Sequence, residues 1–293
     1  MKKGKIFDKI IKKLSNSFEK LPDQRRGKNT RYEIRDAAVG AFGIFFTQSA
    51  SFLAYQRMME EKKGRSNLQK LFGAERTPSD NQVRNLLDGQ KPEMLFDVFG
   101  YGLRIVQESG QLEDFRGDSG QWLISVDGTQ TISSQKIECP SCSRRELTNG
   151  ETLYSHAAIL PVIVKPGESR VLVLEPEFIS PQDGHEKQDC ERAAFKRWVK
   201  RNDGRYDRYR YTFLGDDIYA CQPICELVLE SGFNFIFVCK PDSHVALYEQ
   251  VEFLAKQILI EQVRIRHWNG RYAEIHEYRF VNQVPVRRGA DVL

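Results

Sequence analysis

Hydrophobic residues change their spacing about two-fifths of the way along the chain. Over the first third they follow a helical period. Ile6, Phe7, Ile10, Ile11, Leu14 and Phe18 recur three or four residues apart with lysines between them. A basic turn, "LPDQRRGK", follows, and the stretch from Tyr32 to Met59 predicts one or two apolar helices. Pro78-Ser79-Asp80 ahead of Val83, Leu86 and Leu87 has the character of a capped helix start. A further helix is expected from Pro92 to Glu108. The polar, glycine-rich "ESGQLEDFRGDSGQ" then predicts a boundary.

Beyond that boundary the apolar runs are short. "WLISVD", Leu153 to Val164 and Arg170 to Ile179 read as three strands, the last two joined by the turn "KPGES". A helix over Asp189 to Arg201 and a strand over Tyr209 to Asp217 come next. They are followed by a helix from Gln222 to Gly232 and a strand from Asn234 to Pro241. The order β-β-β-α-β-α-β predicts an α/β fold with a mixed sheet and helices packed on it. Alternation from Val263 to Val286 around Trp-Asn-Gly-Arg predicts a hairpin. The expected organisation is a helical region over 1–118, a sheet core over 119–244 and the start of a β-rich insertion over 245–293.

Composition adds the class of partner. Among 293 residues, 40% are hydrophobic and 29% charged, as in ordinary globular chains. No apolar run approaches the roughly 18 residues of a membrane span. The start, "MKKGKIFDKIIKK", lacks the apolar core of a signal peptide, so a cytoplasmic protein with no membrane partner is expected. The net charge of +4 is unevenly placed. Residues 1–35 carry twelve Lys and Arg against four acids, so the rest of the chain is mildly acidic. A basic leader of this kind points to a polyanion, most simply nucleic acid; a solvated helix face is the alternative.

The chemistry begins at "WLISVDGTQ", where an apolar run ends on Asp127. "YTFLGDD" ends in the same way on Asp216. Either aspartate alone could be turn punctuation. In a sheet of the ribonuclease H type, however, these two strands are neighbours, and the two carboxylates would meet. Like charges that close require a cation, and Mg²⁺ or Mn²⁺ fits a carboxylate and water environment. Two such ions can assist phosphodiester cleavage.

Several separated segments resemble one family. "DQRRGKNTRYEIRDAAVGAF", "PSDNQVRNLLD", "VDGTQTISSQKIECPSC", "DGHEKQDCERAA", "LGDDIYACQP" and "FIFVCKPDSH" look like the DDE transposases of bacterial insertion sequences, in order, from about Leu21 to Asn282. The resemblance implies a ribonuclease H-like core, metal-dependent cleavage at transposon ends and strand transfer by the freed 3′-hydroxyl. It also implies DNA partners, namely terminal inverted repeats and target DNA, a homo-oligomer on that DNA and a nucleoid-associated bacterial location. It assigns Asp127 and Asp216 the first two catalytic acids; Asp217, one step further, should face the other way. In such enzymes a glutamate on a helix after a β-rich insert completes the set. Glu226 and Glu230 lie on the helix directly after the Asp216 strand, and Glu274 and Glu277 lie in the predicted hairpin, so none fills that role. The expectation is a transposase chain truncated before its third acid. The alternative is a non-catalytic product that occupies transposon ends and represses transposition.

Six cysteines are expected to be free thiols or metal ligands. Cys139 and Cys142 form a CxxC, half of a structural Zn²⁺ site, with His156, His185 or Cys190 as candidates for the remainder. DNA contacts are expected at Arg25, Arg26 and Lys28, and at Arg192, Lys196, Lys200 and Arg201 on one predicted helix, with Lys240 and His244 beside them. A solvated basic face is the simpler reading of that helix. Tyr206, Tyr209 and Tyr211 are expected to pack rather than to stack on bases.

Overall fold

The computed structural model describes residues 3–26, 30–63, 65–74, 76–181, 189–287 and 289. It comprises two compact units, Met1–Asp114 and Phe115–Leu293.

The first unit is built of short helices. Helix α1 (Lys3–Phe18) is followed by α2 (Ile34–Phe46), which opens on a reciprocal capping box between Glu33 and Asp36. Helix α3 (Phe52–Glu60) starts with the Ser51 hydroxyl accepting from the Ala54 N–H. A two-residue ladder of β1 (Lys62–Lys63) with β2 (Arg65–Ser66) leads into α4 (Asn67–Phe72), capped by Ser66 and Gln69. Helices α5 (Asp80–Leu87) and α6 (Phe96–Glu108) complete the unit. Phe18, Leu21, Ile34, Val39, Tyr55, Met59 and Phe72 belong to its core. The helical spacing thus turns its apolar residues toward one shared interior.

The second unit is a mixed α/β structure. Its strands, in chain order, begin with β3 (Trp122–Ser125), β4 (Gly128–Ser134), β5 (Ser143–Glu146), β6 (Thr152–Ile159), β7 (Val162–Val164), β8 (Leu172–Val173) and β9 (Glu177–Ile179). Next come α7 (Glu191–Asn202), β10 (Tyr211–Gly215), α8 (Gln222–Glu230) and β11 (Asn234–Phe237). The chain continues through α9 (Val245–Lys256) and the hairpin β12 (Glu261–Trp268) with β13 (Ala273–Phe280). One sheet has the order β11-β10-β3-β7-β8; β3, β10 and β11 run parallel, while β7 is antiparallel to both β3 and β8. A second sheet is centred on β6, which pairs with β4, β5 and β9.

The second and third strands expected after the boundary are each bent across both sheets, and the first, expected to end at Asp127, continues past a bend into β4. The first passes from β3 to β4 at Val126-Asp127, the second from β6 to β7 at Leu160-Pro161, and the third from β8 to β9 at Leu174–Pro176. Backbone bonds tie the bends together: the Leu160 N–H donates to Asp127 O, and the Leu174 N–H to Pro161 O. Pro161 has no N–H for the ladder, which favours a break at that point. Two further elements differ from the expectation. The polar segment Ser143–Glu146 forms β5, and the chain from Val245 to Lys256 is helical ahead of the hairpin.

Helix α7 buries Phe195, Trp198 and Val199 completely, with Phe195 and Trp198 edge-on to Phe213 of β10. This packing fixes the start of α7 relative to the end of β10. No helix among the described residues is long and apolar enough to cross a membrane.

Candidate metal centre

Two parallel strands deliver the first two acids. In the β3–β10 register Ser125 lies opposite Leu214, and the Val126 N–H donates to Leu214 O at 3.0 Å. Asp127 and Asp216 each stand two residues beyond that pair, at the C-terminal ends of neighbouring strands. Both are exposed. Each carboxylate also closes a local turn. Asp127 Oδ1 accepts from the Gly128 N–H at 2.9 Å, and Asp216 Oδ1 from the Ile218 N–H at 3.0 Å. These bonds orient the side chains and leave oxygen lone pairs for a further partner.

A third carboxylate reaches the same edge from α7. Glu191 is the first residue of that helix. Its Oε1 accepts from the Tyr219 hydroxyl at 2.5 Å. Its carboxylate also lies so close to Gly128 that a Cβ there would collide with it. Tyr219 is completely buried. Burial above all, then the bond to Glu191 and the negative charges of Glu191, Asp127 and Asp216, holds its phenol protonated well above the usual tyrosine range. Tyr219 therefore feels all three carboxylates and points its proton at one of them. Sequence reasoning passed over Glu191 because an acid in the first turn of a helix is an ordinary complement to the helix dipole.

The other acids are engaged elsewhere. Asp217 accepts from the Lys240 backbone N–H at 2.7 Å and from the Ser243 hydroxyl at 2.6 and 2.7 Å. The Ser243 bond first, then the Lys240 bond, lowers its pKa below the usual carboxylate value. It anchors the loop after β11. Glu226 accepts from Gln222 on its own helix, Glu274 from Asn269, and Glu277 from Arg264 and Arg279.

The cations divide into two groups. Arg192, Lys196 and Lys200 lie one helical turn apart on α7, and none has an ion-pair partner among the described residues. Arg201, which spacing alone placed with these three, does not share that face. With Arg197 and Arg205 it forms a second line that meets buried acids. Arg197 bonds Glu177 at 2.7 Å and Asp189 at 2.6 Å, Arg201 bonds Glu175 at 2.9 Å, and Arg205 bonds Glu175 at 3.1 Å. Lys240 is exposed, whereas His244 is held by the Ala220 carbonyl and the Ser243 hydroxyl. Arg25 is exposed but clamped by Asp23 and the Tyr32 carbonyl, and Arg26 is exposed. Lys28 and His185 lie outside the described residues. Tyr206 packs among Trp198, Tyr211 and Phe233, and Tyr211 stacks on Trp122.

Cys139 and Cys142 sit on the loop between β4 and β5, and His156 on β6 comes close to them. Cys190 is exposed at the start of α7.

No protein-family model matches the chain, and no curated protein matches it. Among solved structures it is similar to a piggyBac transposase, seen by cryo-electron microscopy as a synaptic complex with hairpin DNA. The identity is 13% and the TM-score 0.34, over 80% of this chain and 50% of that one. The chain thus spans about half the length of that transposase chain, and the likeness is too remote to establish fold or activity.

Proposed function

We propose that this chain is a DNA transposase whose second unit is a ribonuclease H-like core, with Asp127, Asp216 and Glu191 as the acids that hold Mg²⁺ or Mn²⁺. The observation that carries the reading is the placement of Asp127 and Asp216 in register at the ends of adjacent parallel strands, with Glu191 brought alongside by α7. The sheet order supports it: a central strand has an antiparallel meander on one side and parallel strands on the other.

The donor chemistry suits a hard divalent cation, because all three side chains offer carboxylate oxygens and the two aspartates are open to water; the three carboxylates would draw together on the ion. Bound there, such ions would activate an attacking oxygen and stabilise the leaving oxygen of a phosphodiester. The protein's own part is positioning. The turns at Gly128 and Ile218 orient Asp127 and Asp216. Tyr219 holds Glu191 and keeps its own proton, so it adds no fourth negative charge. The free cations Arg192, Lys196 and Lys200 begin one residue after Glu191 and offer a track for a DNA backbone, with Arg25, Arg26, Lys28 and Lys240 as further contacts. Glu191 stands in this reading where the family pattern places a glutamate much later in the chain.

The test is nicking of a supercoiled plasmid that carries the coding region and its flanking DNA, with Mg²⁺ or Mn²⁺. Nicking by the wild type that disappears with chelator, and in Asp127→Asn and Asp216→Asn, is the expected result. DNA binding without nicking under any divalent metal would leave the repressor alternative in its place.

A further inference from the structure

The chain between β4 and β5 has to cross β6. Strand β6 lies between those two strands in the second sheet, so residues 135–142 pass over one of its faces. Ser155 pairs with both Ser133 of β4 and Ser143 of β5, and His156 pairs with Ile132. The crossing therefore lies over the stretch of β6 that carries Tyr154 and His156, which share one face by strand alternation.

Three metal-binding atoms converge at that crossing. Cys139 Sγ lies 3.1 Å from His156 Nε2 and 3.6 Å from Cys142 Sγ. All three donor atoms fall within 4.8 Å of one another. Cys142 is buried, and the other two residues are half-buried. The Cys139 N–H donates to Cys142 Sγ at 3.3 Å, and the Cys142 N–H closes the turn on Cys139 O at 3.0 Å. An N–H aimed at sulfur is the kind of outer partner that supports a metal-bound thiolate.

The distances separate the alternatives. A disulfide needs its sulfurs about 2.05 Å apart. Around a tetrahedral Zn²⁺ with Zn–S of about 2.3 Å and Zn–N of about 2.0–2.1 Å, two sulfurs stand about 3.8 Å apart and sulfur and nitrogen about 3.5 Å apart. The observed spacings lie near the second set. A hard cation would not select two thiols and an imidazole, whereas Zn²⁺ does.

We propose that Cys139, Cys142 and His156 bind one Zn²⁺ that fastens the β4–β5 crossing to β6. Glu138, the next residue along the turn, accepts the Tyr154 hydroxyl and is already engaged. Of the partners left open by the sequence, His156 is the one that the described residues bring to the pair. This site is separate from the carboxylate edge in both ligands and chemistry, and it holds the fold rather than taking part in a reaction.

The experiment is a Co²⁺ titration of the metal-stripped, reduced full-length chain, with zinc content measured on the protein as purified. The wild type is expected to carry one zinc per chain. With Co²⁺ it should show a thiolate-to-cobalt charge-transfer band and the intense visible bands of tetrahedral coordination. Cys142→Ser and His156→Gln should each weaken Co²⁺ binding about tenfold or more, while Cys190→Ser leaves it unchanged. The wild-type titration stands even if a variant fails to fold. A wild type with no thiolate band, a His156→Gln chain that binds Co²⁺ as tightly as the wild type with an unchanged spectrum, or a purified chain with a Cys139–Cys142 disulfide and no zinc would each overturn the assignment.

Discussion

Gly128→Ala tests the placement of Glu191 without touching a charged group. Gly128 has no positive φ, so its backbone accepts alanine, and in open space the change would stabilise the chain by about 0.4–1 kcal/mol. At this position the new Cβ meets the Glu191 carboxylate. That carboxylate ends a flexible side chain, but the buried Tyr219 hydroxyl holds it. Moving it gives up a hydrogen bond to a charged group, worth about 1.5–3 kcal/mol. The net expectation is a loss of about 1–2 kcal/mol for Gly128→Ala. In a Glu191→Ala background nothing opposes the Cβ, so the same substitution should be neutral or stabilising by up to about 1 kcal/mol. The double-mutant cycle should therefore show a coupling of about 2 kcal/mol. Urea unfolding followed by tryptophan fluorescence reads the correct unit, because Trp122, Trp198 and Trp268 all belong to it. Equal effects of Gly128→Ala in the two backgrounds, within about 0.5 kcal/mol, would refute the contact and with it the position of Glu191.

Further outcomes follow from the same geometry. Asp216→Asn should abolish metal-dependent nicking with little change in the unfolding midpoint. Asp217→Asn should instead lower the midpoint, by releasing Lys240 and Ser243. Because the Asp217 pKa is lowered by folding, its contribution is present at neutral pH and fades as pH falls through and below the ordinary carboxylate range; acid unfolding of the two variants compared with wild type reads this difference. Replacing Arg192, Lys196 and Lys200 together by alanine should reduce the salt dependence of DNA binding by about one unit of slope for each phosphate that is no longer neutralised. Arg201→Ala should destabilise the second unit, since its partners Glu175 and Glu177 are buried, and leave that slope unchanged. Iodoacetamide on the native chain should modify exposed Cys190 first and spare Cys225, whose thiol burial pushes up to about 12. Equal labelling rates, read by peptide mass mapping, would contradict that burial.

Asp127 and Asp216 can be picked out in the sequence because each ends an apolar run long enough to read as a strand. Glu191 cannot be, because nothing local distinguishes an acid at a helix start from a ligand; its position depends on Phe195 and Trp198 packing α7 against Phe213. The same limit applies to the cations of that helix. Arg192 and Arg201 both recur at helical spacing with other basic residues, and only the acids at Glu175 and Glu177, distant in sequence, divide them into a free line and a tied line. The helices of the first unit are legible since caps and apolar spacing act over a few residues. The bends that turn three strands into six segments are less so. The apolar run continues unbroken from Ala157 to Val164, and only Pro161 hints at the break. Strand β5 has no apolar signal at all: Ser143–Glu146 pairs through its backbone, and its side chains are largely exposed.

The central claim is that Asp127, Asp216 and Glu191 share a divalent cation. Iron-directed backbone cleavage tests it most directly: Fe²⁺ bound in place of Mg²⁺ is treated with ascorbate and peroxide, and the fragments are mapped by mass. The account predicts cuts clustered near Asp127, Glu191 and Asp216, suppressed by excess Mg²⁺ and lost in a chain carrying both Asp127→Asn and Asp216→Asn. Cuts confined to other segments, or cuts at these three that Mg²⁺ does not suppress, would contradict it.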